Sequence, residues 1–159
     1  MDETPAAKFD PRTAYHEAGH AVVALALDRP VHRVSVLPNS QRLGQCEFKK
    51  GLQRPNEDWV ETEILISLAG MVAEARVTGS YDTGGANQDL RYVRKLTLMR
   101  ASERAVDRLE KRMLAKTEHL LADEELWQAV EWIAKELLIH GQISGRAARH
   151  FYERAVKTD

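Results

Sequence analysis

The sequence predicts a mainly α-helical domain with a small β element, an α+β fold. Three observations support this class: apolar residues recur at helical spacing over most of the chain, two short runs at 31–37 and 43–48 resemble strands, and glycine or proline separates the segments. A chain of 159 residues suits one compact domain. We assign that domain to residues 10–159, after a flexible lead-in at residues 1–9.

The first helix is predicted from Asp10 to about Asp28. Asp10 can cap the first turn with its side-chain oxygen, and Pro11 suits a position where no amide hydrogen is needed. Pro30 then ends the helix. Its inward face carries Ala18, Val22, Leu25 and Ala26.

Two strands are predicted next, at Val31–Leu37 and Leu43–Phe48, because β-forming residues lie there on either side of a polar turn. We expect them to form an antiparallel hairpin or the edge of a small sheet. Gly44 in the second strand indicates a bulge or a close approach of another segment.

The remainder of the chain is predicted to be helical. A second helix begins at Glu57 after an Asn56 N-cap and continues to Thr78, where Gly79 ends it. A third helix opens near Asn87. The C-terminal helical bundle comprises segments at Glu103–Leu121, from Asp123 to Gly141, and from Ser144 to Val156.

The composition excludes several functional classes. The net charge is -1, from 23 basic and 24 acidic residues, so we expect no nucleic-acid partner. Cys46 is the single cysteine, which fits a reducing compartment. The N-terminus does not read as a signal peptide, and the longest apolar run, at residues 21–27, falls short of the ~20 residues that span a bilayer. We therefore expect a cytoplasmic chain without a membrane segment.

His16, Glu17 and His20 form the motif HEAGH, within TAYHEAGHAVV at residues 13–23. Residues four apart on a helix lie one above the other, so the two imidazoles can bind one ion. Zinc is the natural candidate, because it accepts imidazole nitrogen readily. Glu17 lies about 100° around the helix axis, which suits a general base better than a ligand. Gly19 weakens the helix relative to alanine but would let another segment approach closely.

The motif alone leaves the function open. Short motifs also occur by chance, and the alternative interpretation is a pair of half-exposed histidines on an amphipathic helix. A catalytic zinc also needs a third protein ligand. The next histidine, His32, lies on a predicted strand, so the remaining candidates are distant carboxylates, Glu74 in the second helix and Asp89 at the start of the third.

Five ordered segments resemble one family. TAYHEAGHAVVAL, VHRVSVLPNSQRLGQCEF, SLAGMVAEARVTG and TGGANQDL are similar, in this order, to segments of the zinc protease domain of FtsH-type AAA+ metalloproteases, peptidase family M41. IAKELLIHGQISG resembles the last helices of that domain more loosely. The resemblance covers about residues 12–150, and several motifs at matching spacing are far more specific than one pentapeptide.

The resemblance implies a role for each matching residue. His16, His20 and Asp89 match the ligands of one Zn²⁺ per chain, and Glu17 matches the catalytic glutamate. Glu74 matches a glutamate near the site, where we expect it to hydrogen-bond a ligand histidine. The implied activity is a zinc-dependent endopeptidase that uses a metal-activated water, with Glu17 as general base.

The predicted second strand is a candidate substrate-binding edge. An extended peptide could add to it as a further strand, which favours unfolded proteins or peptides as substrates. The strand comprises Leu43, Gly44, Gln45, Cys46, Glu47 and Phe48.

The sequence also departs from the family pattern. The ATPase module and membrane helices of the family are not found in it, and Met71 and Ala75 replace an arginine and a glutamate. We expect substrates to arrive unfolded or to be delivered by a separate ATPase or adaptor, and a homo-oligomer remains open. The rival hypotheses are a catalytically silent metal-binding interaction module and a dedicated regulatory protease with one substrate.

Overall fold

A computed structural model describes residues 9–39, 43–48 and 58–157. Within these ranges the chain is mainly helical with one small sheet, which confirms the predicted fold class. The elements in chain order are α1 (Pro11–Ala26), β1 (Val31–Ser35), β2 (Gln45–Phe48), α2 (Trp59–Thr78), α3 (Asn87–Thr97), α4 (Val106–Ala122), α5 (Glu124–His140), β3 (Gln142–Ser144) and α6 (Gly145–Val156).

Helix α1 begins where the sequence predicts. The Asp10 side chain accepts a hydrogen bond from the Arg12 amide, and Pro11 occupies the first turn. The helix ends at Ala26, two residues earlier than predicted, because Asp28 adopts a left-handed conformation with φ 61°. Most of the helix from Ala14 to Ala24 is buried in the core.

The sheet has the order β2-β1-β3, and both pairings are antiparallel. Val34 lies opposite Cys46 on one side and Ile143 on the other. The predicted hairpin is therefore correct, but both of its strands are shorter than predicted. Leu43 and Gly44 precede β2 rather than belonging to it, and β3 was not predicted.

Helix α2 lies at the centre of the fold, and most of its residues between Val60 and Ala73 are buried. Asp58 caps it by accepting a hydrogen bond from the Glu61 amide. Gly79 ends it in the left-handed region with φ 91°. The predicted cap, Asn56, lies outside the described residues.

Helices α1 and α2 pack closely at Gly19. A Cβ atom at this position would lie 2.6 Å from the Ala69 carbonyl oxygen and 2.6 Å from the Ala73 Cβ. Such contacts are too short for real atoms, so only glycine allows this approach. The close packing of these helices brings the HEAGH motif against the middle of α2.

The C-terminal helices follow the predicted caps. Asp123 accepts a hydrogen bond from the Leu126 amide, Gly141 ends α5 with φ 80°, and Ser144 caps α6. Helix α4 begins at Val106, three residues later than predicted. Among the described residues, none of the helices combines the length and apolar character needed to cross a membrane.

Candidate metal centre

The two histidines of the motif face one carboxylate. Their rings lie 4.8 Å apart between centroids at an interplanar angle of 80°. The Oδ2 atom of Asp89 lies 3.0 Å from Nε2 of His16 and 3.1 Å from Nε2 of His20. Two imidazole nitrogens and a carboxylate oxygen therefore converge on one small volume.

Asp89 reaches this position because of the turn before α3. The carbonyl oxygen of Asp82 accepts a hydrogen bond from the Ala86 amide, and its side chain accepts one from the Gly85 amide. These bonds form a tight turn that leads directly into α3. Asp89 lies in the first turn of that helix, where the helix dipole favours a negative charge.

The remaining nitrogen of each histidine is held by α2. His16 Nδ1 donates to Glu74 Oε2 at 3.1 Å, and His20 Nδ1 donates to the Ile66 carbonyl oxygen at 2.7 Å. Partners of this kind fix the orientation of a metal-binding imidazole and direct its Nε2 atom toward the ion. The structure thus places Glu74 against a candidate ligand, at the position that the resemblance implied.

Glu17 lies beside the histidine pair and is only 7% exposed. The potential ligand atoms of His16, Glu17 and His20 all lie within 4.8 Å of one another. A Cβ at Gly44 would lie 3.0 Å from Glu17 Cγ, so the segment before β2 packs directly over the glutamate. This is the close approach that a glycine at position 44 indicated.

Charge interactions and hydrogen bonds within the cluster together outweigh the effect of burial on each pKa. Burial lowers the pKa of His16, but hydrogen bonds to Asp89 and Glu74 outweigh it and raise the pKa to about 10. Burial also lowers the pKa of His20, but the charge of Asp89, its hydrogen bond and the charge of Glu17 together raise this pKa above its usual value. Burial raises the pKa of Asp89, yet the two histidines hold this pKa well below its usual range. The Asp89 carboxylate is therefore ionised at neutral pH.

These residues fit a zinc ion. Catalytic zinc sites use three protein ligands, from histidine nitrogens and carboxylate oxygens, and leave a fourth position open. His16, His20 and Asp89 supply such a set, with Glu17 adjacent. The rings are also oriented by outer partners, as is usual for metal-binding histidines.

The cluster opens into a cleft of about 680 Å³. Among the six candidate substrate-binding residues, Leu43, Gly44, Cys46 and Phe48 line it. Gln45 and Glu47 instead contact Asn39 and Arg33, because alternate residues of a strand point to opposite faces.

An ion pair between α2 and the residues after α1 also lines the cleft. Arg29 Nε donates to Glu63 Oε1 at 3.0 Å, and the guanidinium lies 5.3 Å from the centre of the Phe48 ring. This ion pair was not predicted, because its members lie 34 residues apart in the chain. Cys46 contributes a buried thiol whose pKa is raised well above its usual value by burial.

Three relatives are bacterial proteins named ATP-dependent zinc metalloprotease FtsH. The one from Magnetococcus marinus is 43% identical over 84 residues, covering 47% of this chain and 12% of that protein. The one from Acidimicrobium ferrooxidans is 41% identical over 81 residues, covering 48% and 12%. FtsH 4 from Sorangium cellulosum is 38% identical over 80 residues, covering 47% and 12%. The chain thus matches only about an eighth of the length of these relatives.

A family comparison covers more of the chain. Residues 6–103, which are 98 of the 159, match the model of peptidase family M41. The matched range includes the HEAGH motif, helix α2 and Asp89. The chain belongs to peptidase family M41.

Proposed function

We propose that this chain is a zinc-dependent endopeptidase of the HExxH type that hydrolyses peptide bonds in unfolded proteins or peptides. One observation supports this most directly: Asp89 Oδ2 lies 3.0 and 3.1 Å from the Nε2 atoms of His16 and His20, next to the buried Glu17. We take residues 10–159 as one catalytic domain.

His16, His20 and Asp89 would hold one Zn²⁺. Bound zinc supplies a Lewis acid that polarises the scissile carbonyl and acidifies a water molecule. Glu17 would accept a proton from that water and return it to the leaving amine. Its burial supports this role, because a site that excludes bulk water limits the leakage of protons to solvent.

The substrate would lie extended along β2. This strand is at the edge of the sheet, and Gly44, Cys46 and Phe48 face the cleft. An edge strand offers backbone hydrogen-bonding groups to an added strand, and only an unfolded segment can supply one. The relatives are named ATP-dependent, which supports the proposal that an ATPase or adaptor delivers unfolded chains to this site. A homo-oligomer also belongs to the proposal.

Glu17→Gln is the decisive variant. We expect the purified wild type to carry about one zinc per chain and to cleave casein or a fluorogenic peptide. Glu17→Gln should keep the zinc and the circular dichroism spectrum but lose cleavage, because glutamine cannot accept the proton. Glu47→Gln is the matched control, since this residue is on the opposite face of β2 and should leave cleavage unchanged.

The outcomes separate the hypotheses. Zinc binding without any cleavage by the wild type would contradict the peptidase proposal and favour a silent metal-binding module. Cleavage of one protein but not of casein would indicate a dedicated regulatory protease. Equal cleavage by Glu17→Gln would remove Glu17 from the mechanism.

A further inference from the structure

One face of α2 carries three residues spaced by four that all contact the histidine pair. Ile66 accepts a hydrogen bond from His20, and Glu74 accepts one from His16. Gly70 lies between them. Residues four apart lie one above the other on a helix, so these three residues form one row on the face of α2 that lies against His16 and His20.

Gly70 faces the two nitrogen atoms that lie against Asp89. A Cβ atom on Gly70 would lie 2.5 Å from His20 Nε2 and 2.6 Å from His16 Nε2. It would also lie 2.7 Å from His16 Cδ2. Non-bonded carbon and nitrogen atoms do not approach this closely, so any side chain at position 70 would push the rings away.

We propose that Gly70 is a positioning residue of the metal centre, whose bare backbone lets the two imidazole rings converge on one ion. This inference rests on the proposed function. An ion held by both histidines would require their Nε2 atoms to lie close together. A Cβ that presses on both nitrogens prevents this approach.

Gly70 differs from Gly19, the other glycine between these helices. A Cβ at Gly19 would meet the Ala69 carbonyl oxygen and the Ala73 Cβ, which are parts of the packed helices. The three atoms nearest to a Cβ at Gly70 all belong to His16 and His20. Gly19 therefore allows the two helices to pack closely, whereas Gly70 leaves space for the rings of the histidine pair.

The test compares Gly70→Ala with Gly19→Ala as the matched control. Zinc affinity is measured by competition with a chromophoric chelator, and the melting temperature Tm is measured with zinc and with EDTA. Gly70→Ala should lower zinc affinity by about 10- to 100-fold, as losses of outer support to metal ligands do. Its Tm should rise less on zinc addition than that of the wild type. Gly19→Ala should instead lower Tm with zinc and with EDTA. Wild-type zinc affinity in Gly70→Ala would overturn the proposal.

A second comparison applies even where Gly70→Ala folds poorly. Gly70→Ala is introduced into a His16→Ala/His20→Ala background, and Tm is measured in EDTA. With both rings removed, the substitution should no longer lower Tm, because the ring atoms that clash with the added Cβ are no longer present. An undiminished loss of Tm in that background would assign Gly70 to general packing and contradict the inference. Failure of the wild type to bind zinc would contradict the proposed function, while this comparison would still decide whether Gly70 makes room for the rings.

Discussion

Asp89 Oδ2 lies 3.0 Å from Nε2 of His16, although 73 residues separate the two side chains. The same oxygen lies 3.1 Å from Nε2 of His20. A single atom that contacts both histidines is the arrangement expected of the third ligand to an ion held between them. Two residues of one helix thus acquire a partner that only the folded chain can supply.

The first prediction concerns Asp89 itself. Asp89→Ala should lose most bound zinc, because two histidines alone leave the ion with too few protein ligands. Metal content per chain can be measured by atomic emission after gel filtration. Asp107→Ala removes an exposed carboxylate of α4 and should keep full zinc. Full zinc in Asp89→Ala would exclude Asp89 as the third ligand and direct attention to Glu17 or Glu74.

The second prediction concerns Glu74. Glu74→Ala removes the acceptor of the His16 Nδ1 proton and should weaken zinc binding by about 10- to 100-fold. Glu74→Gln should lose less zinc affinity than Glu74→Ala, because its amide oxygen can still accept this hydrogen bond. Chelator competition on both variants measures the difference. Equal affinity of Glu74→Ala and the wild type would show that His16 needs no such support.

The sequence could predict those parts of the fold that depend on local chemistry. Asp10, Asp123 and Ser144 were recognised as helix caps, and the structure shows each of them accepting a backbone hydrogen bond. Strand β3 was missed because three residues have no periodicity of their own. It exists through its pairing with β1, where Ile143 lies opposite Val34.

For the candidate site too, the sequence could predict what depends on local spacing but not what depends on how the helices pack. The spacing of His16 and His20 is local, so the sequence indicates that both can bind one ion. The spacing could not choose between Glu74 and Asp89 as third ligand, because the choice depends on how α2 and α3 pack against α1. Gly70 was missed for the same reason, although a glycine inside a helix costs about 1 kcal/mol relative to alanine and could have signalled a close contact.

The third prediction is that zinc affinity rises with pH. In protein stripped of zinc with a chelator, the pKa of His16 is about 10, so the ring is protonated at neutral pH and its proton must leave when zinc binds. Each displaced proton raises the affinity about tenfold per pH unit. Titration calorimetry in buffers of different ionisation enthalpy counts the released protons. Zinc binding at pH 7 without proton release would contradict the raised pKa.

The same pKa predicts how pH affects the stripped protein. Because the folded-state pKa of His16 lies above its unfolded value of about 6.5, its contribution to stability is fully present below pH 6.5. This contribution is lost as the pH rises toward about 10. Urea unfolding of EDTA-treated protein at pH 6.5 and pH 9 measures the loss, and the His16→Ala control should show a smaller loss than the wild type.

The fourth prediction concerns Cys46. Burial raises the pKa of this thiol well above its usual value, so little thiolate forms near neutral pH, and alkylating reagents react with thiolate. Iodoacetamide at pH 8 should therefore label the native protein slowly and the guanidinium-unfolded protein rapidly, as mass spectrometry can measure. Rapid labelling of native protein would show that the strand lining the cleft opens readily.

The fifth prediction tests strand addition at β2. A peptide that adds to this edge strand donates backbone hydrogen bonds through alternate amides, so N-methylation of those amides should weaken binding. Methylation of the intervening amides, which point away from β2, should have little effect. Two N-methyl series, shifted by one residue, are titrated against zinc-loaded Glu17→Gln, and binding is measured by fluorescence anisotropy. An alternating pattern of weak and strong binding supports the edge strand, whereas a uniform response would mean that the cleft recognises side chains alone.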